Sequence, residues 1–332
     1  MPATVSNRSR SQLLALLSSG ELTSGTVLGE RLNISRAAVH KHVQALMRQG
    51  IPIHRVPGRG YRLSQDVHLL DSTLIRDGLD ADIANRLSHV TVLQQVDSTN
   101  NWLLKRQLQS SIHGHVCAAE AQSKGRGRRG HNWVASPYRN VMFSIGWEFA
   151  AWPESVTGLG LAASVAVVRA LQRLSVTGIG IKWPNDLIFG GAKLGGILID
   201  VNGESAGRCI TVVGIGINVH LEESDAGLID QPYTDLNKIT GMVTDRNQLI
   251  AVCSSEITRM LGRFGDLGFQ AFRAEWERMH VYTGRRVRLV GHRGVVRGLV
   301  SGASEFGALL VVDDNGHTHR FLSGDVRLRL EQ

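Results

Sequence analysis

The sequence predicts an α+β protein built from several domains, because of its length, its composition and the alternation of strand and helix patterns along most of it. The chain has 332 residues, which is too many for one ordinary domain and suits two or three. Apolar residues make up 42% and charged residues 20% of the chain. This composition supplies a packed core and excludes a disordered or fibrous chain.

Most of the excess positive charge lies at one end of the chain. Residues 1–64 contain nine of the 37 Lys and Arg and two of the 29 Asp and Glu, a net charge of +7. The remaining 268 residues contain 28 basic and 27 acidic side chains, a net charge of +1. A separate basic module that meets a polyanion is therefore predicted, with nucleic acid as the first candidate.

Three short helices are predicted in the basic segment. The first begins at the leucines that start with Leu13, and Thr23 and Ser24 can cap the second. Ser35 can cap the third helix after a tight turn, and Gly50 ends it. The apolar positions expected to face inwards are Val27, Leu28 and Leu32 in the second helix and Val39, Val43, Leu46 and Met47 in the third.

A hairpin is predicted after the third helix, with strands over residues 53–56 and 61–63 and a Pro-Gly-Arg-Gly turn between them. Helices and hairpin together make a winged helix-turn-helix, whose last helix can enter the major groove of DNA. The alternative is a solvated three-helix domain used for dimerisation or docking. The side chains expected to contact DNA are Arg36, His40, Lys41, Gln44 and Arg48 on the helix and Arg55 and Arg59 on the hairpin.

Strand and helix patterns alternate through the middle of the chain. Helices are expected over residues 98–108 and around residues 161–171. Strands are expected over residues 90–96, 115–121, 141–147, 179–183, 187–189, 194–201 and 209–219, several of them joined by hairpin-length turns. An α+β domain with antiparallel pairs is predicted, and not a doubly wound parallel sheet.

A glycine-rich loop runs from Gln122 to His131 and matches G-x-G-x-x-G. A dinucleotide site needs an apolar helix directly after the glycines, and none follows here. What remains is a strip with Lys124, Arg126, Arg128 and Arg129 and no acid, which can wrap an anionic ligand. A solvated loop or one that touches nucleic acid is equally compatible with these residues.

Three further motifs stand at the ends of predicted strands, namely Lys182-Trp-Pro-Asn-Asp186, Lys193-Leu-Gly-Gly196 and Gly214-Ile-Gly-Ile-Asn218. Glycines there allow a ligand to approach the backbone, and a lysine on a rigid strand can neutralise a phosphate or carboxylate. The alternatives are a solvated turn for the lysine and a pairing of Asp186 with Lys182.

These motifs, preceded by Asp97-Ser-Thr-Asn100 and by Gly125-Arg-Gly-Arg-Arg-Gly130, resemble in their order the motifs of the biotin protein ligases. With a winged helix in front, the chain is similar to the type that also represses biotin synthesis. The resemblance implies a central domain related to class II aminoacyl-tRNA synthetases and a C-terminal SH3-like barrel. Short strands predicted over residues 287–290, 295–300, 309–312, 320–322 and 326–330 suit such a barrel. The domains are then expected at 1–66, 67–278 and 279–332.

The resemblance also implies the reaction. ATP, with Mg²⁺, and biotin would give biotinyl-5′-AMP, whose acyl group passes to a lysine of a biotin carboxyl carrier protein. Two anions meet in the first step, so fixed cations must offset their repulsion. The residues expected to be catalytic are Arg126, Arg128, Lys193 and, in the second step, Asp186. Those expected to bind biotin are Ser98, Thr99, Asn100, Gln122, Arg126, Gly127, Arg128 and Lys193, and those expected to bind ATP are Arg128, Arg129, Lys193, Asn218 and Tyr233.

Further expectations follow from the same resemblance. Tyr233 stands where the family's repressor has a tryptophan that packs on adenine, and His131 stands where it has an arginine, so this loop carries one charge less. A mobile loop that orders over the adenylate would shield it from water. The adenylate is also expected to favour a homodimer that binds operator DNA, which would couple vitamin supply to transcription.

Other classes of protein fit these residues less well. A ligand-sensing transcription factor without catalysis would not need Lys193 or the arginine strip, and the loop argues against a lipoate ligase. The near-neutral charge after residue 64 disfavours a tRNA-acting enzyme. No metal site is expected, because His113 with His115 and His317 with His319 lack a third ligand nearby. Three unpaired cysteines and the absence of a long apolar stretch predict a cytoplasmic protein without a membrane span.

Overall fold

A computed structural model describes residues 5–64, 68–150, 152–153, 156–203, 208–291, 294–322 and 326–330. The boundary expected between the first two domains, at residues 66 and 67, lies outside the described residues. Within the described part, no helix is long and apolar enough to cross a membrane.

The N-terminal segment forms the winged helix that the sequence predicts. Its helices are α1 (Val5–Leu17), α2 (Gly25–Leu32) and α3 (Arg36–Arg48), and its hairpin pairs β1 (Ile53–Val56) with β2 (Gly60–Leu63). Both predicted caps are confirmed: Ser24 Oγ accepts a hydrogen bond from the Val27 amide at 3.2 Å, and Ser35 Oγ accepts one from the Ala38 amide at 3.1 Å. Asn33 makes the tight turn between α2 and α3 in the left-handed region, at φ 52°.

Two of the positions predicted to face inwards in this domain are wrong. Val27 and Met47 are 37% and 39% exposed. The buried positions of α3 are Val39, Val43 and Leu46, which follow the i, i+4, i+7 spacing of one helix face. Met47 lies about 100° around the helix from Leu46, as Val27 does from Leu28, and so falls beyond that face.

The central domain is built on a seven-stranded sheet. Its order is β3-β4-β5-β9-β8-β7-β6, and only the pair β3 and β4 is parallel. The sequence therefore predicted the mixed, mainly antiparallel sheet correctly. The strands are β3 (His89–Leu93), β4 (His115–Ala119), β5 (Val141–Phe149), β6 (Gly180–Lys182), β7 (Asp186–Phe189), β8 (Ala192–Asn202) and β9 (Cys209–Ile217).

Helices cover the two faces of this sheet unequally. One face packs against α7 (Leu159–Arg173) and α9 (Arg246–Leu267), where the main hydrophobic core lies, and α6 (Thr99–Gln107) lies on the other face. The sequence predicted α6 and α7. It did not predict α4 (Ser72–Asp77), α5 (Ala81–Ala84), α8 (Leu236–Thr240), α9 or α10 (Gln270–Met279).

The C-terminal segment is a five-stranded antiparallel sheet of order β13-β12-β11-β10-β14, as a small barrel-like domain requires. Its strands are β10 (Arg286–Gly291), β11 (Gly294–Ala303), β12 (Leu309–Val312), β13 (Thr318–Phe321) and β14 (Val326–Leu330). The turn between β11 and β12 packs on the central domain, where the buried Trp183 Nε1 donates to the Gly307 carbonyl at 3.3 Å.

A buried ion pair holds the start of the central domain. Arg246 Nη1 lies 2.8 Å from Glu120 Oε2, and both side chains are almost fully buried. Arg246 also donates to the His68 carbonyl at 2.5 Å, and the Leu70 amide donates to Glu120 Oε1 at 2.6 Å. The chain that leaves the winged helix is thus bound to the strand end that leads into the glycine-rich loop.

Candidate functional site

Glycines leave the middle of the sheet without side chains on the face that carries α6. Gly214 and Gly216 of β9 lie on this face, and each is covered by a side chain from elsewhere. Asn100 of α6 occupies the space over Gly214, and a Cβ on Gly216 would lie 2.6 Å from Cε2 of Trp133. The glycines of this motif therefore permit close approach, as the sequence predicted, and the approaching groups include two protein side chains.

The polar side chains predicted to meet the ureido ring come together above this floor. Ser98 and Thr99 are 3% and 4% exposed at the start of α6. Gln122 Oε1 accepts from the Thr99 amide at 2.8 Å and lies 3.2 Å from the Thr99 hydroxyl. Ser144 Oγ of β5 lies 2.6 Å from Thr99 Oγ1. Buried polar groups in such a network hold fixed positions because each has a partner.

The glycine-rich loop is a compact hairpin. The Gly127 amide donates to the His131 carbonyl at 2.7 Å, and the Trp133 amide donates to the Gly125 carbonyl at 2.9 Å. Arg129 adopts a left-handed conformation at φ 55°, which turns the chain at the tip. A cavity of about 680 Å³ lies beside the loop, lined by residues 122–133 together with Leu198 and Asp200 of β8.

Asp200 meets the arginine strip from the neighbouring strand. Its Oδ2 forms an ion pair with Arg126 Nη2 and accepts a hydrogen bond from Asn100 Nδ2 at 2.8 Å. Asn100 Oδ1 lies 2.5 Å from Ser144 Oγ on its other side. The amide of Asn100, predicted to bind biotin, is thus engaged with protein at both ends and forms part of the pocket frame.

Lys193 and Asp186 form a second charged group. Lys193 Nζ lies 2.6 Å from Asp186 Oδ1, and the two side chains are 19% and 18% exposed. The ion pair found for Asp186 is the one with Lys193 and not the alternative with Lys182, whose Nζ lies 5.9 Å from the ring centre of Tyr282. Lys193 Nζ also lies 5.8 Å from the ring centre of Trp133, which connects this pair to the cavity beside the loop.

The residues predicted to meet adenine lie beside Lys193. The amide of Lys193 donates to the Pro232 carbonyl and its carbonyl accepts from the Thr234 amide, so Tyr233 stands directly alongside. Asn218 is 4% exposed, and its Nδ2 donates to the Thr234 carbonyl at 3.1 Å and the Lys193 carbonyl at 3.4 Å. Asn218 therefore ties the Tyr233 segment to the strand that carries Lys193.

Arg128 lies in the loop and lines the cavity. Burial lowers the pKa of its guanidinium, the charge of Arg129 lowers it further, and the carboxylate of Asp186 acts in the opposite direction. A half-buried cation is stabilised by a bound anion more than an exposed cation is, because water solvates it poorly and screens the attraction less. The carboxylate of Asp186 therefore pairs with Lys193 and also acts electrostatically on Arg128.

Three residues of this site were missed by the sequence analysis. Trp133 stands two residues after His131, just beyond the predicted loop. No repeating pattern of apolar residues there distinguishes a pocket residue from a core residue. Ser144 is a buried polar residue in an apolar strand, and Asp200 is an acid at the end of one. A polar residue inside a strongly apolar strand is the signal that could have found both.

The predicted DNA-contacting side chains lie on the winged helix, apart from this pocket. Arg36, Lys41, Arg48, Arg55 and Arg59 are exposed. Gln44 is half-buried, and His40 Nδ1 lies 3.0 Å from the Tyr61 hydroxyl. His40 is thereby held against the hairpin.

The described residues contain neither a cluster of metal ligands nor a reactive thiol. There, no group of three or more His, Cys, Asp or Glu side chains could hold a metal ion. Cys117, Cys209 and Cys253 are free and buried, and burial raises the pKa of each thiol. A high pKa keeps a thiol protonated and unreactive.

The winged helix, the mixed sheet with its glycine floor under a basic loop, and the small C-terminal sheet define a DNA-binding protein that carries a ligand-binding enzyme domain. Residues 9–62 match the HTH domain, residues 92–218 the Biotin/lipoate A/B protein ligase family and residues 282–329 the Biotin protein ligase C terminal domain. The chain belongs to the biotin protein ligase family, so the resemblance predicted from the motifs is confirmed.

Relatives match over nearly the whole chain. The bifunctional ligase/repressor BirA of Salmonella typhimurium is 34% identical over 319 residues, 96% of each chain. The protein of the same name from Bacillus subtilis is 27% identical over 96% of this chain and 98% of its own. Among solved structures, the biotin protein ligase from Aquifex aeolicus in complex with biotin and ATP superimposes with a TM-score of 0.62, at 30% identity over 74% of this chain and 100% of that one.

Proposed function

We propose that this protein joins biotin to a lysine of biotin carboxyl carrier protein at the expense of ATP, and that it represses biotin synthesis as a DNA-binding protein. The observation that carries the enzymatic part is the Lys193–Asp186 pair, which lies close to a glycine floor, a network of polar side chains and a cavity lined by the arginine loop. The bifunctional relatives, which match over nearly the full length, support the pairing of both activities in one chain.

Biotin enters the first half-reaction as a carboxylate. Its oxygen attacks the α-phosphorus of ATP, a new P–O bond forms, and the bond to pyrophosphate breaks. Lys193 and Arg128 offset the repulsion between the two anions, and their positions on a strand and a hydrogen-bonded hairpin reduce the reorganisation that this requires. Mg²⁺ is proposed to arrive as part of the substrate, on the phosphates of ATP, because Mg²⁺ in such sites is held by phosphate oxygens, waters and at most one or two carboxylates.

The ureido ring is proposed to lie against Ser98, Thr99 and Gln122. Without these side chains the polar ring would be buried and would have no hydrogen-bond partners. Trp133 covers Gly216 at the same cavity, and its buried Nε1 has no hydrogen-bond partner among the described residues, so a bound ligand can satisfy it. Asn100 contributes by holding the frame of the pocket. Gly127, within the loop, allows the backbone to approach the ligand.

Adenine is proposed to stack on Tyr233, with the side-chain oxygen of Asn218 facing its edge. Arg129 at the tip of the loop would meet the phosphates. Tyr233 and Asn218 are both fixed relative to Lys193. The backbone of Lys193 forms hydrogen bonds with the residues on either side of Tyr233 and with the Asn218 side chain. The nucleotide and the reacting carboxylate are then aligned by one stretch of chain, which favours an in-line attack.

In the second half-reaction the amine of the carrier lysine attacks the acyl carbon. A C–N bond forms, and the bond to the AMP oxygen breaks. Asp186 is proposed to orient the incoming amine, for which its position beside Lys193 suits it. The loop of residues 122–133 would exclude water from the adenylate until the carrier arrives.

Repression is proposed to depend on the same intermediate. The adenylate would favour a homodimer whose two winged helices bind operator half-sites, since a dimer places two recognition helices on a palindromic site. Biotin supply would then set the DNA affinity through a linked equilibrium. The test compares DNA affinity with and without biotin and ATP, and equal affinities would refute the coupling.

The enzymatic proposal is tested with purified protein, ATP, Mg²⁺, biotin and a carrier domain, with streptavidin as the probe. We expect labelled carrier with the native protein and a loss of at least about 100-fold in Lys193→Met. Lys105→Met is the matched control, because Lys105 is an exposed lysine paired with Asp97 outside the pocket. Absence of labelling by the native protein would leave only a ligand-sensing repressor, and labelling with lipoate in place of biotin would indicate a lipoate ligase.

A further inference from the structure

Asp200 of β8 contacts both the floor of the pocket and the loop above it. The carboxylate lies in the lining of the cavity, and a single oxygen, Oδ2, faces both Arg126 and Asn100. Arg126 is separated from Asp200 by 74 residues of sequence. The contact is therefore tertiary and joins the loop to a strand of the central sheet.

The position of Asp200 is itself fixed. The Asn100 amide that holds it also donates to the Leu198 carbonyl at 3.4 Å and is engaged by Ser144 at its other end. Asn100 cannot move towards the sheet, because it packs directly on Gly214. A carboxylate held in this way is a rigid point on the floor of the pocket, whereas the loop beside it contains three glycines, Gly125, Gly127 and Gly130.

We infer that Asp200 is a positioning residue that anchors Arg126, and with it the loop of residues 122–133, over the adenylate. The inference rests on the proposed ligase function and adds a residue outside the ligase motifs found in the sequence. One edge of the Arg126 guanidinium binds Asp200, and its remaining N–H groups face the ligand in a fixed orientation. Loss of the carboxylate would remove the ion pair that ties Arg126 to the sheet, whereas the contacts at the ends of the loop, such as those of Gln122 with Thr99 and of Lys124 with Asp97, would remain.

The first experiment needs no substrate. Trypsin cleaves after the lysine and arginines of the loop, so the rate of cleavage within residues 124–129 reports how often the loop opens. We expect Asp200→Asn to raise this rate about fivefold and Asp200→Glu to restore much of the protection. Because the ion pair is partly exposed, salt should accelerate cleavage of the native protein and have little effect on Asp200→Asn.

The second experiment measures release of adenylate from the preformed complex. We expect Asp200→Asn to release biotinyl-5′-AMP about fivefold faster than the native protein. Arg126→Gln combined with Asp200→Asn should release it no faster than Arg126→Gln alone, because the two substitutions break one contact. Asp82→Asn, which removes an exposed partner of Arg259, is the control and should match the native protein.

The outcomes separate this inference from the proposed function. Native protein that makes no adenylate contradicts the ligase proposal, and the cleavage experiment still decides the anchor. The anchor alone is overturned if the native protein makes and retains adenylate and Asp200→Asn retains it equally well and is equally resistant to trypsin. Additive effects of the two substitutions would also overturn it, since independent residues add. Thermal unfolding of each variant shows whether the change is confined to the loop.

Discussion

Lys193 Nζ and Asp186 Oδ1 are 2.6 Å apart, on two adjacent antiparallel strands of the central sheet. Gly196 lies beside both, and a Cβ there would be 3.6 Å from Asp186 Oδ1 and 3.7 Å from Lys193 Cε. The pair is therefore held close to the glycine floor rather than in open solvent. A cation and a carboxylate so placed can serve different halves of one reaction, because one offsets anionic charge and the other attracts an amine.

Asp186→Asn should separate the two half-reactions. Lys193 keeps its charge in this variant, so we expect adenylate formation to fall less than about tenfold. Transfer to the carrier should fall about 100-fold, because the carboxylate that orients the amine is lost. Single-turnover measurements of each step, with biotin and ATP first and with preformed adenylate and carrier second, give the comparison. Equal losses in both steps would assign Asp186 to the placement of Lys193 only.

Gly216→Ala should damage biotin binding more than folding. The new Cβ would lie 2.6 Å from Trp133, so the indole must move away from the pocket. We expect the KM for biotin to rise about tenfold or more, with a stability loss of about 1–3 kcal/mol from the crowding. Gly262→Ala in α9 is the control, because its nearest neighbour is a side-chain nitrogen at 3.5 Å and alanine favours a helix. An unchanged biotin KM in Gly216→Ala would mean that Trp133 does not line the biotin site.

The strands of the fold could be predicted because their signals are local. Apolar runs bounded by glycine and proline gave β5, β8 and β9 within a few residues of their observed ends. α9 has buried residues spaced three to four apart, among them Ile250, Ile257 and Leu261, so its signal was present although it was not used. The pairing order of the strands was not predicted, since it depends on contacts far apart in sequence.

In the site too, residues with a local sequence signal could be predicted and residues defined by long-range contacts could not. The arginine loop and Lys193 stand in short motifs of distinctive composition, so the sequence identified them. Asp200 and Ser144 act through Arg126 and Asn100, which lie between 44 and 100 residues away in sequence. No spacing rule connects residues that meet only in the tertiary fold. Asp186 was identified from its motif. Which of Lys182 and Lys193 pairs with it could not be decided without the register of β7 and β8.

Asp80 should make stability depend on acid pH. The bonds it forms with Arg173 lower its pKa to about 2, and Arg259 adds to this effect. A carboxyl whose pKa is lower in the folded state stabilises the protein above its unfolded pKa of about 3.9, and this contribution disappears as the pH falls towards the folded value. We expect the urea midpoint of the native protein to drop more steeply than that of Asp80→Asn between about pH 4 and pH 2. Asp266→Asn, at an exposed position, serves as the control, and parallel curves for native protein and Asp80→Asn would contradict the assignment.

The salt dependence of DNA binding should identify which arginines of the winged helix meet phosphates. Arg55 and Arg59 are exposed on the hairpin. Each phosphate contact releases a condensed counterion, so Arg59→Ala should reduce the slope of log affinity against log salt by about 1 and weaken binding to all sequences alike. Arg288→Ala is the matched control, because Arg288 is an exposed arginine on β10 of the C-terminal domain. If Arg59→Ala keeps the native slope while Arg288→Ala lowers it, the basic face of the C-terminal domain, and not the hairpin, contacts the DNA backbone.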